Sequence, residues 1–361
     1  MRSADYESKV RGAFLGAALG DAIGAPFEFR TKRWARTRTG ADWIDGLYHS
    51  ELGPDPYGVW EKHTPPGTGT DDTRNNWLFL NLASDLGRMP TWAELGDRLE
   101  QVGREPEKFF PGHEDLARGQ YAGWARRVAD ARAYNPDSLS GVGYPSLGGL
   151  ITLTCAGLLF PDSPEEAYLA AYRADFFDIG YAREAVAVLS GAISLSLSED
   201  MPPIELLHRC VTLDPLNIGH PFGGRPFIRN SLPAICAKFA DSRDDHEAAQ
   251  DLSHALLGLY PYDALKTLAI AFSAVLATDS DPLRSILVAV NHTGRDVYGN
   301  LDDENYGDVD CYGCVAGALA GAISGAGALP ADMIRQVLES NLQVNEIDLE
   351  QTIQRFVRTF S

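Results

Sequence analysis

The sequence predicts an all-α protein organised as one domain over residues 1–361, and three observations support this. Apolar residues recur at the three- and four-residue spacing of a helix in most of the chain, whereas the alternation typical of a β-strand is scarce. No Ser-, Gly- or Pro-rich linker divides the chain into halves. Two sets of glycines at four-residue spacing, one near each end, predict that the two ends pack together.

The helical pattern is clear in residues 73–87, where apolar residues from Trp77 onward follow the helical period and Gly87 ends it. Nine further stretches show the same pattern, and many open with Pro, Asp or Ser. They are 164–175, 181–197, 203–211, 245–258, 262–277, 283–291, 312–324, 331–340 and 348–358. Glycine, proline, asparagine and aromatic residues predict loops at 30–69, 104–118, 133–149, 214–230 and 292–310.

The two glycine ladders predict how the ends of the chain are arranged. Residues four apart share one face of a helix, so each ladder forms a smooth groove that another backbone can approach closely. Glycine costs about 0.5–1 kcal/mol relative to alanine inside a helix, so repeated glycines on one face indicate close packing. Each ladder could pack against an unrelated element, but we favour packing of the two against each other. The ladders are Gly12, Gly16, Gly20 and Gly24, and Gly313, Gly317, Gly321 and Gly325.

Charge and cysteine content exclude several classes of protein. The formal net charge of −19 opposes stable binding to nucleic acid or to anionic membranes. Five cysteines, an odd number, are scattered along the chain and indicate reduced thiols in a cytoplasmic protein. Residues 1–25 resemble a signal peptide only in part, because Asp5 and Glu7 interrupt the basic segment. No apolar run reaches the roughly 18 residues of a membrane span.

Common catalytic motifs are absent from the sequence. It contains no G-x-S-x-G segment and no Gly-Lys of a phosphate-binding P-loop. The histidines are too far apart in sequence for a zinc motif. Cys311 and Cys314 form a lone C-x-x-C, which we interpret as small buried residues on a glycine-rich helix.

Two acidic clusters are the candidate functional residues. Thr70, Asp71 and Asp72 precede one helix, and Asp308 and Asp310 precede another. Taken separately, the first cluster could be a helix cap and the second a solvated loop. Together they form a set of hard oxygen ligands suited to Mg²⁺, Mn²⁺ or Ca²⁺. If the glycine ladders bring the clusters together, cations would offset the repulsion between the carboxylates.

With these motifs, the sequence resembles the ADP-ribosylglycohydrolase family. Gly20–Glu28 is similar to the family's G-D-A-x-G-x-x-x-E motif, and Thr70–Thr73 to its T-D-D-T motif. Gly141–Gly149 resembles its central glycine-rich loop, and Gly157–Pro161 its G-L-L-Y-P segment. Asp308–Asp310 corresponds to its D-x-D before a glycine-rich helix, although Cys311 stands where the family has threonine.

The resemblance implies a compact orthogonal bundle of helices and two bound Mg²⁺ or Mn²⁺ ions. It assigns the ions to ligands from both ends of the chain, namely Thr70, Asp71, Asp72, Asp308 and Asp310. It also implies that ADP-ribose lies with its distal ribose near the metals and Asp178, and its diphosphate on the glycine-rich loop. The loop residues assigned to substrate are Gly141, Gly143, Ser146 and Gly148.

The function implied is hydrolysis of the C1″ glycosidic bond of an ADP-ribosyl group on a protein or a small molecule. Glu28 and Asp310 are the candidate catalytic residues, since carboxylates supply acid and base in glycoside cleavage. A solvated loop glutamate is the alternative interpretation of Glu28. Two alternative functions stay open: an ADP-ribose-binding protein with weak or no turnover, suggested by Cys311, and a glycosidase of a small ribosyl metabolite. An apparent insertion after Asp296 is expected to reshape the substrate entrance.

Overall fold

In the computed structural model, residues 4–134, 145–198, 200–217, 227–241 and 244–360 are described. Within these ranges the chain forms sixteen α-helices, a few short 3-10 turns and one two-stranded sheet, so the predicted all-α fold is confirmed. The helices, in chain order, are α1 (Ala4–Gly24), α2 (Lys32–Thr39), α3 (Asp71–Leu86), α4 (Trp92–Arg104), α5 (Glu114–Tyr134), α6 (Gly148–Thr152), α7 (Pro164–Ala174), α8 (Tyr181–Ser198), α9 (Pro203–Cys210), α10 (Phe227–Cys236), α11 (Asp245–Ala255), α12 (Ala264–Ala277), α13 (Pro282–Val290), α14 (Val309–Ser324), α15 (Ala331–Val344) and α16 (Leu349–Phe360).

Local sequence signals explain where many of these helices begin. Asp244, Asp263 and Asp281 precede α11, α12 and α13, and each accepts hydrogen bonds from backbone N–H groups of the first turn. Thr91 and Glu94 form a reciprocal capping box at the start of α4. Such caps satisfy N–H groups that have no partner within the helix.

Several helices lie where the sequence indicated loops or no element. Helix α2 falls inside the expected loop 30–69, and among its residues only Ala35 is buried, so its apolar period is weak. Helix α5 begins inside the expected loop 104–118, and α10 begins inside the expected loop 214–230. Helix α10 also contains Pro233, which masks its helical character in the sequence.

The two glycine ladders pack directly against each other, so α1 and α14 lie antiparallel in close contact. A Cβ atom added at Gly16 would lie 2.8 Å from the carbonyl carbon of Gly317. The added methyl group would therefore overlap backbone atoms, which cannot rotate aside. The facing pairs are Gly12 with Gly321, Gly16 with Gly317, and Gly20 with Gly313.

This contact brings three chain segments to one place. The end of α1, with the turn that follows it, lies beside the first turn of α14, and both contact α3. Helices α8, α12 and α13 pack around α14 and bury it. In the described part of the chain, no helix combines the length and the apolar character needed to cross a bilayer.

A short hairpin precedes α14. Strands β1 (Gly294–Arg295) and β2 (Leu301–Asp302) pair antiparallel, with Gly294 opposite Asp302. The hairpin lies where the sequence suggested an insertion after Asp296, which stays a prediction.

Candidate active site

The first acidic cluster is held by a buried aspartate of α1. The Asp21 carboxylate accepts hydrogen bonds from the backbone N–H (2.9 Å) and hydroxyl (2.9 Å) of Thr70. It also accepts from the backbone N–H (3.0 Å) and hydroxyl (2.5 Å) of Thr73. Asp21 therefore fixes the N-terminal turn of α3, where Asp71 and Asp72 lie. Its role was not predicted, although an acid inside an apolar, glycine-rich helix is a signal that it has a specific partner.

The second acidic cluster lies against the first, as the glycine ladders predicted. The Thr70 hydroxyl oxygen lies 3.2 Å from Oδ2 of Asp310, and the Cys311 thiol donates to Oδ1 of Asp72 at 3.5 Å. Oδ2 of Asp72 and Oδ1 of Asp310 are buried without a hydrogen-bond partner among the described residues. Buried oxygens without donors are costly, so these two indicate a place for a ligand.

Burial and mutual repulsion raise the pKa values of the clustered carboxyl groups. Asp71, Asp72, Asp308 and Asp310 are between 0% and 6% exposed. Burial, together with the charge of Asp310, raises the pKa values of Asp72 and Asp308 well above the usual value. Burial and the charge of Asp21 raise the pKa of Asp310 to about 6. Deprotonating all four groups requires nearby positive charge.

The residues present fit divalent cations with hard oxygen ligands. Asp308, Asp310 and Cys311 each offer a ligand atom within 4.8 Å of the others. Burial and the surrounding carboxylates raise the pKa of the Cys311 thiol well above its usual value, so it stays neutral. A neutral thiol is a poor ligand for Mg²⁺, and the fit therefore rests on the carboxylates and Thr70.

Glu28 reaches the same acidic region from the turn after α1. Phe29 adopts a positive φ of 51°, which is uncommon for an aromatic residue, and its N–H donates to the Gly307 carbonyl at 2.7 Å. The turn is thus tied to the segment just before Asp308. Burial and the charges of Asp310 and Asp308 raise the pKa of Glu28 well above its usual value. The strained turn and the raised pKa are typical of a functional carboxyl group.

A cavity of about 570 Å³ opens beside these acids, and we call it the first cavity. Glu28, Asp71, Asp308, Asp310 and Cys311 line its acidic end. Mostly aromatic and aliphatic side chains line the remainder, together with Ser146 and Asp263, and Arg127 is the one basic side chain among the described lining residues. The remaining lining residues are Tyr57, Trp124, Pro145, Ser146, Leu147, Gly148, Ile151, Tyr181, Tyr260, Tyr262 and Asp263.

The glycine-rich loop is only partly described. Gly141 and Gly143 lie outside the described residues, whereas Ser146 and Gly148 line the first cavity. Asp178 is 1% exposed and does not line this cavity.

Asp178 instead holds the described part of this loop in place. It accepts hydrogen bonds from the Ser146 N–H (3.1 Å), the Ser146 hydroxyl (2.7 Å) and the Gly149 N–H (2.8 Å). The N–H groups of Ser146 and Gly149 therefore already have an acceptor within the protein. Contact between Asp178 and the substrate stays a prediction, and so does contact between the loop and the diphosphate.

Arg74 positions the segment that carries Tyr57. Its guanidinium is buried over the Trp60 ring at 4.0 Å and donates to the carbonyls of Pro56 (3.1 Å) and Gly58 (3.0 Å). The Asp71 N–H donates to the Tyr57 carbonyl at 3.1 Å. Helix α3, which carries Asp71 and Asp72, thus also fixes the position of Tyr57 at the wall of the first cavity. No sequence signal indicated this role, since Arg74 follows the acids as an ordinary helical residue.

Comparisons with known proteins agree with this arrangement. A family model described as ADP-ribosylglycohydrolase matches residues 2–360. One similar solved structure, titled "ADP-ribosylglycohydrolase-related protein complex", has a TM-score of 0.59 and 21% sequence identity over 99% of both chains. At this identity the structure shows the fold alone. Among curated proteins no match was found. The family match indicates a glycohydrolase, a hydrolase of the kind that acts on ADP-ribosylated substrates, and we conclude that the chain belongs to the ADP-ribosylglycohydrolase family.

Proposed function

We propose that the protein is a divalent-metal-dependent hydrolase that cleaves the C1″ glycosidic bond of an ADP-ribosyl group. The observation that carries this proposal is the convergence of Glu28 with three buried aspartates, Asp71, Asp308 and Asp310, at one end of the first cavity. A cavity of about 570 Å³ is within the size range of small-molecule sites.

Thr70 and the carboxylates of Asp71, Asp72, Asp308 and Asp310 would hold two Mg²⁺ or Mn²⁺ ions. Bound there, the ions would offset the repulsion between the carboxylates and supply positive charge for the hydroxyls of the distal ribose. Asp21 is a positioning residue for this set, because its four hydrogen bonds orient Thr70 and the start of α3.

Glu28 is the proposed acid and base. In its protonated form, which the raised pKa favours, it would donate a proton to the departing atom while the C1″ bond breaks. Water then supplies the oxygen that binds C1″, and Glu28 recovers a proton from it. Asp310 is the second candidate and would orient this water. Arg127 is suited to the negative charge of the diphosphate, since it is the basic side chain at the cavity wall.

The test is a panel of ADP-ribosylated proteins and small molecules, assayed with Mg²⁺ and after chelation. We expect release of ADP-ribose with Mg²⁺, loss of activity on chelation, and a fall in kcat of at least about a hundredfold in Glu28→Gln. Unchanged turnover in Glu28→Gln or after chelation would contradict the proposal.

Two specific observations favour alternative functions. Cys311, in place of a hydroxyl, favours a protein that binds ADP-ribose without turning it over. The Ser146 and Gly149 N–H groups already donate hydrogen bonds to Asp178. Because these groups are the ones expected to bind a diphosphate, this favours a smaller ribosyl substrate without a diphosphate. Calorimetric binding of ADP-ribose without hydrolysis would support the first alternative. Hydrolysis of ribosyl but not ADP-ribosyl compounds would support the second.

A further inference from the structure

A second cavity of about 690 Å³ lies on the other side of Glu28. Glu28, Tyr57 and Tyr262 line both cavities, whereas Asp71, Asp308 and Asp310 line only the first. The two cavities therefore share one wall, and that wall contains the proposed acid and base.

We propose that the second cavity receives the group released from C1″, and that it selects an uncharged, apolar and flat leaving group. This inference rests on the proposed function. In a glycosidase the proton donor lies beside the scissile bond, with the sugar on one side and the leaving group on the other. The acids assigned to the ribose line the first cavity, so the second cavity is the space left for the leaving group.

Aromatic and aliphatic side chains determine this preference. Phe29 packs against Tyr262 with ring centroids 5.4 Å apart, and Leu52 and Val297 also line the second cavity. Tyr57 and Tyr262 are 48% and 39% exposed, so their rings are open to a ligand. Flat apolar groups bind well to such exposed aromatic surfaces.

The charged residues of the second cavity do not favour an ionic leaving group. Besides Glu28, the proposed proton donor, its lining contains one basic residue, Arg30, and one acidic residue, Asp55, so neither sign of charge predominates. Asp55 is also engaged with its own loop, accepting from the N–H groups of Tyr57 (2.9 Å) and Gly58 (3.2 Å).

The hairpin contributes Val297 to the lining of this cavity, and hydrogen bonds hold its tip. Asp296 accepts hydrogen bonds from the N–H groups of Tyr298 (2.9 Å) and Asn300 (2.8 Å). Gly299 has a φ of 80° and packs against the Tyr260 ring, so a side chain at this position would be strained and would clash. The hairpin thus holds Val297 at the cavity wall, while the neighbouring Tyr298 is 84% exposed. Tyr298 is not among the residues that line the cavity.

The test compares two substrates that share the ADP-ribosyl group, one with a benzyl and one with a methyl leaving group. Both release a primary alcohol, so the pair differs mainly in apolar surface. We define the ratio as kcat/KM for the benzyl substrate divided by kcat/KM for the methyl substrate. We expect Val297→Asn to lower this ratio about fivefold, because the benzyl group loses its contact with about one apolar group of the protein. Tyr298→Asn, the matched control on the same hairpin, should leave the ratio unchanged. An unchanged ratio in Val297→Asn, or an equal change in both variants, would overturn the inference.

A binding measurement separates this inference from the proposed function. If the parent protein hydrolyses neither substrate with Mg²⁺, the proposed function fails, and ligand-detected NMR still tests the second cavity. Benzyl alcohol should bind together with saturating ADP-ribose, and Val297→Asn should weaken that binding. Competition between benzyl alcohol and ADP-ribose, or equal affinity in Val297→Asn and the parent, would refute the assignment.

Discussion

Replacing Gly16 with alanine tests the contact that joins the two ends of the chain. The added Cβ would lie 2.8 Å from the Gly317 carbonyl carbon, closer than side-chain carbons come in folded proteins. Since the obstacle is backbone, α1 and α14 must move apart. Extra volume in a packed site costs about 1–3 kcal/mol, and alanine regains about 0.5–1 kcal/mol of helix propensity. The difference between these terms is about 0–2.5 kcal/mol, and because the obstacle is backbone we expect a net destabilisation in the upper part of this range, about 1.5 kcal/mol.

The expected change in melting temperature is small because the chain is long. An unfolding entropy of about 2.1 cal/mol/K per residue gives about 0.76 kcal/mol/K for 361 residues. A loss of about 1.5 kcal/mol then lowers the melting temperature by about 2 °C, which scanning calorimetry resolves. Gly327→Ala is the control, since no atom lies within 4 Å of a Cβ added there. Equal melting temperatures for the two variants would refute the reasoning.

Three further predictions concern the acidic site. Mg²⁺ at about a hundredfold excess over its Kd should stabilise the protein by about 2.7 kcal/mol, and a double change of Asp71→Asn and Asp310→Asn should abolish this effect in thermal melts. Cys311→Thr should tighten Mg²⁺ binding in calorimetric titrations, because a hydroxyl is a harder ligand than a neutral thiol; identical curves would show that position 311 does not contact the metal. Without divalent ions, stability should fall from about pH 4 to about pH 6. Over this range the folded state retains protons on Asp310, whose pKa is raised to about 6, and on Asp72 and Asp308, whose pKa values are raised well above the usual value, whereas the unfolded chain has released them. Chemical denaturation at several pH values measures this, and a rise in stability over the same range would contradict it.

The sequence was most informative where a pattern pointed to close packing. Glycines at four-residue spacing indicate that a backbone approaches that helix face, and the interpretation that the two ladders face each other predicted that the Thr70 and Asp308 segments meet. Helix α4 was not predicted, although the capping box of Thr91 and Glu94 at its start is a sequence signal for a helix.

Other features depend on contacts between distant residues, and local sequence does not encode them. Asp21 and Asp178 both orient backbone that lies 29 or more residues away. A single sequence does not indicate which N–H groups will donate hydrogen bonds to a buried carboxylate. The two cavities on either side of Glu28 arise from loops that converge from several parts of the chain, so their lining was beyond prediction as well.

The pairing of α1 with α14 also constrains when the site can form during synthesis. About 300 residues separate Gly16 from Gly317, which takes a ribosome about 15–60 s to translate at 5–20 residues per second. During that interval the glycine groove of α1 lacks its partner. Phe14, Leu19 and Ile23, which are buried in the folded protein, must then be shielded from water by other contacts. Chaperone binding or early packing against α3 would provide this shielding. The acid cluster cannot assemble until α14 has left the ribosome, so the proposed cation site forms only in the last stage of translation.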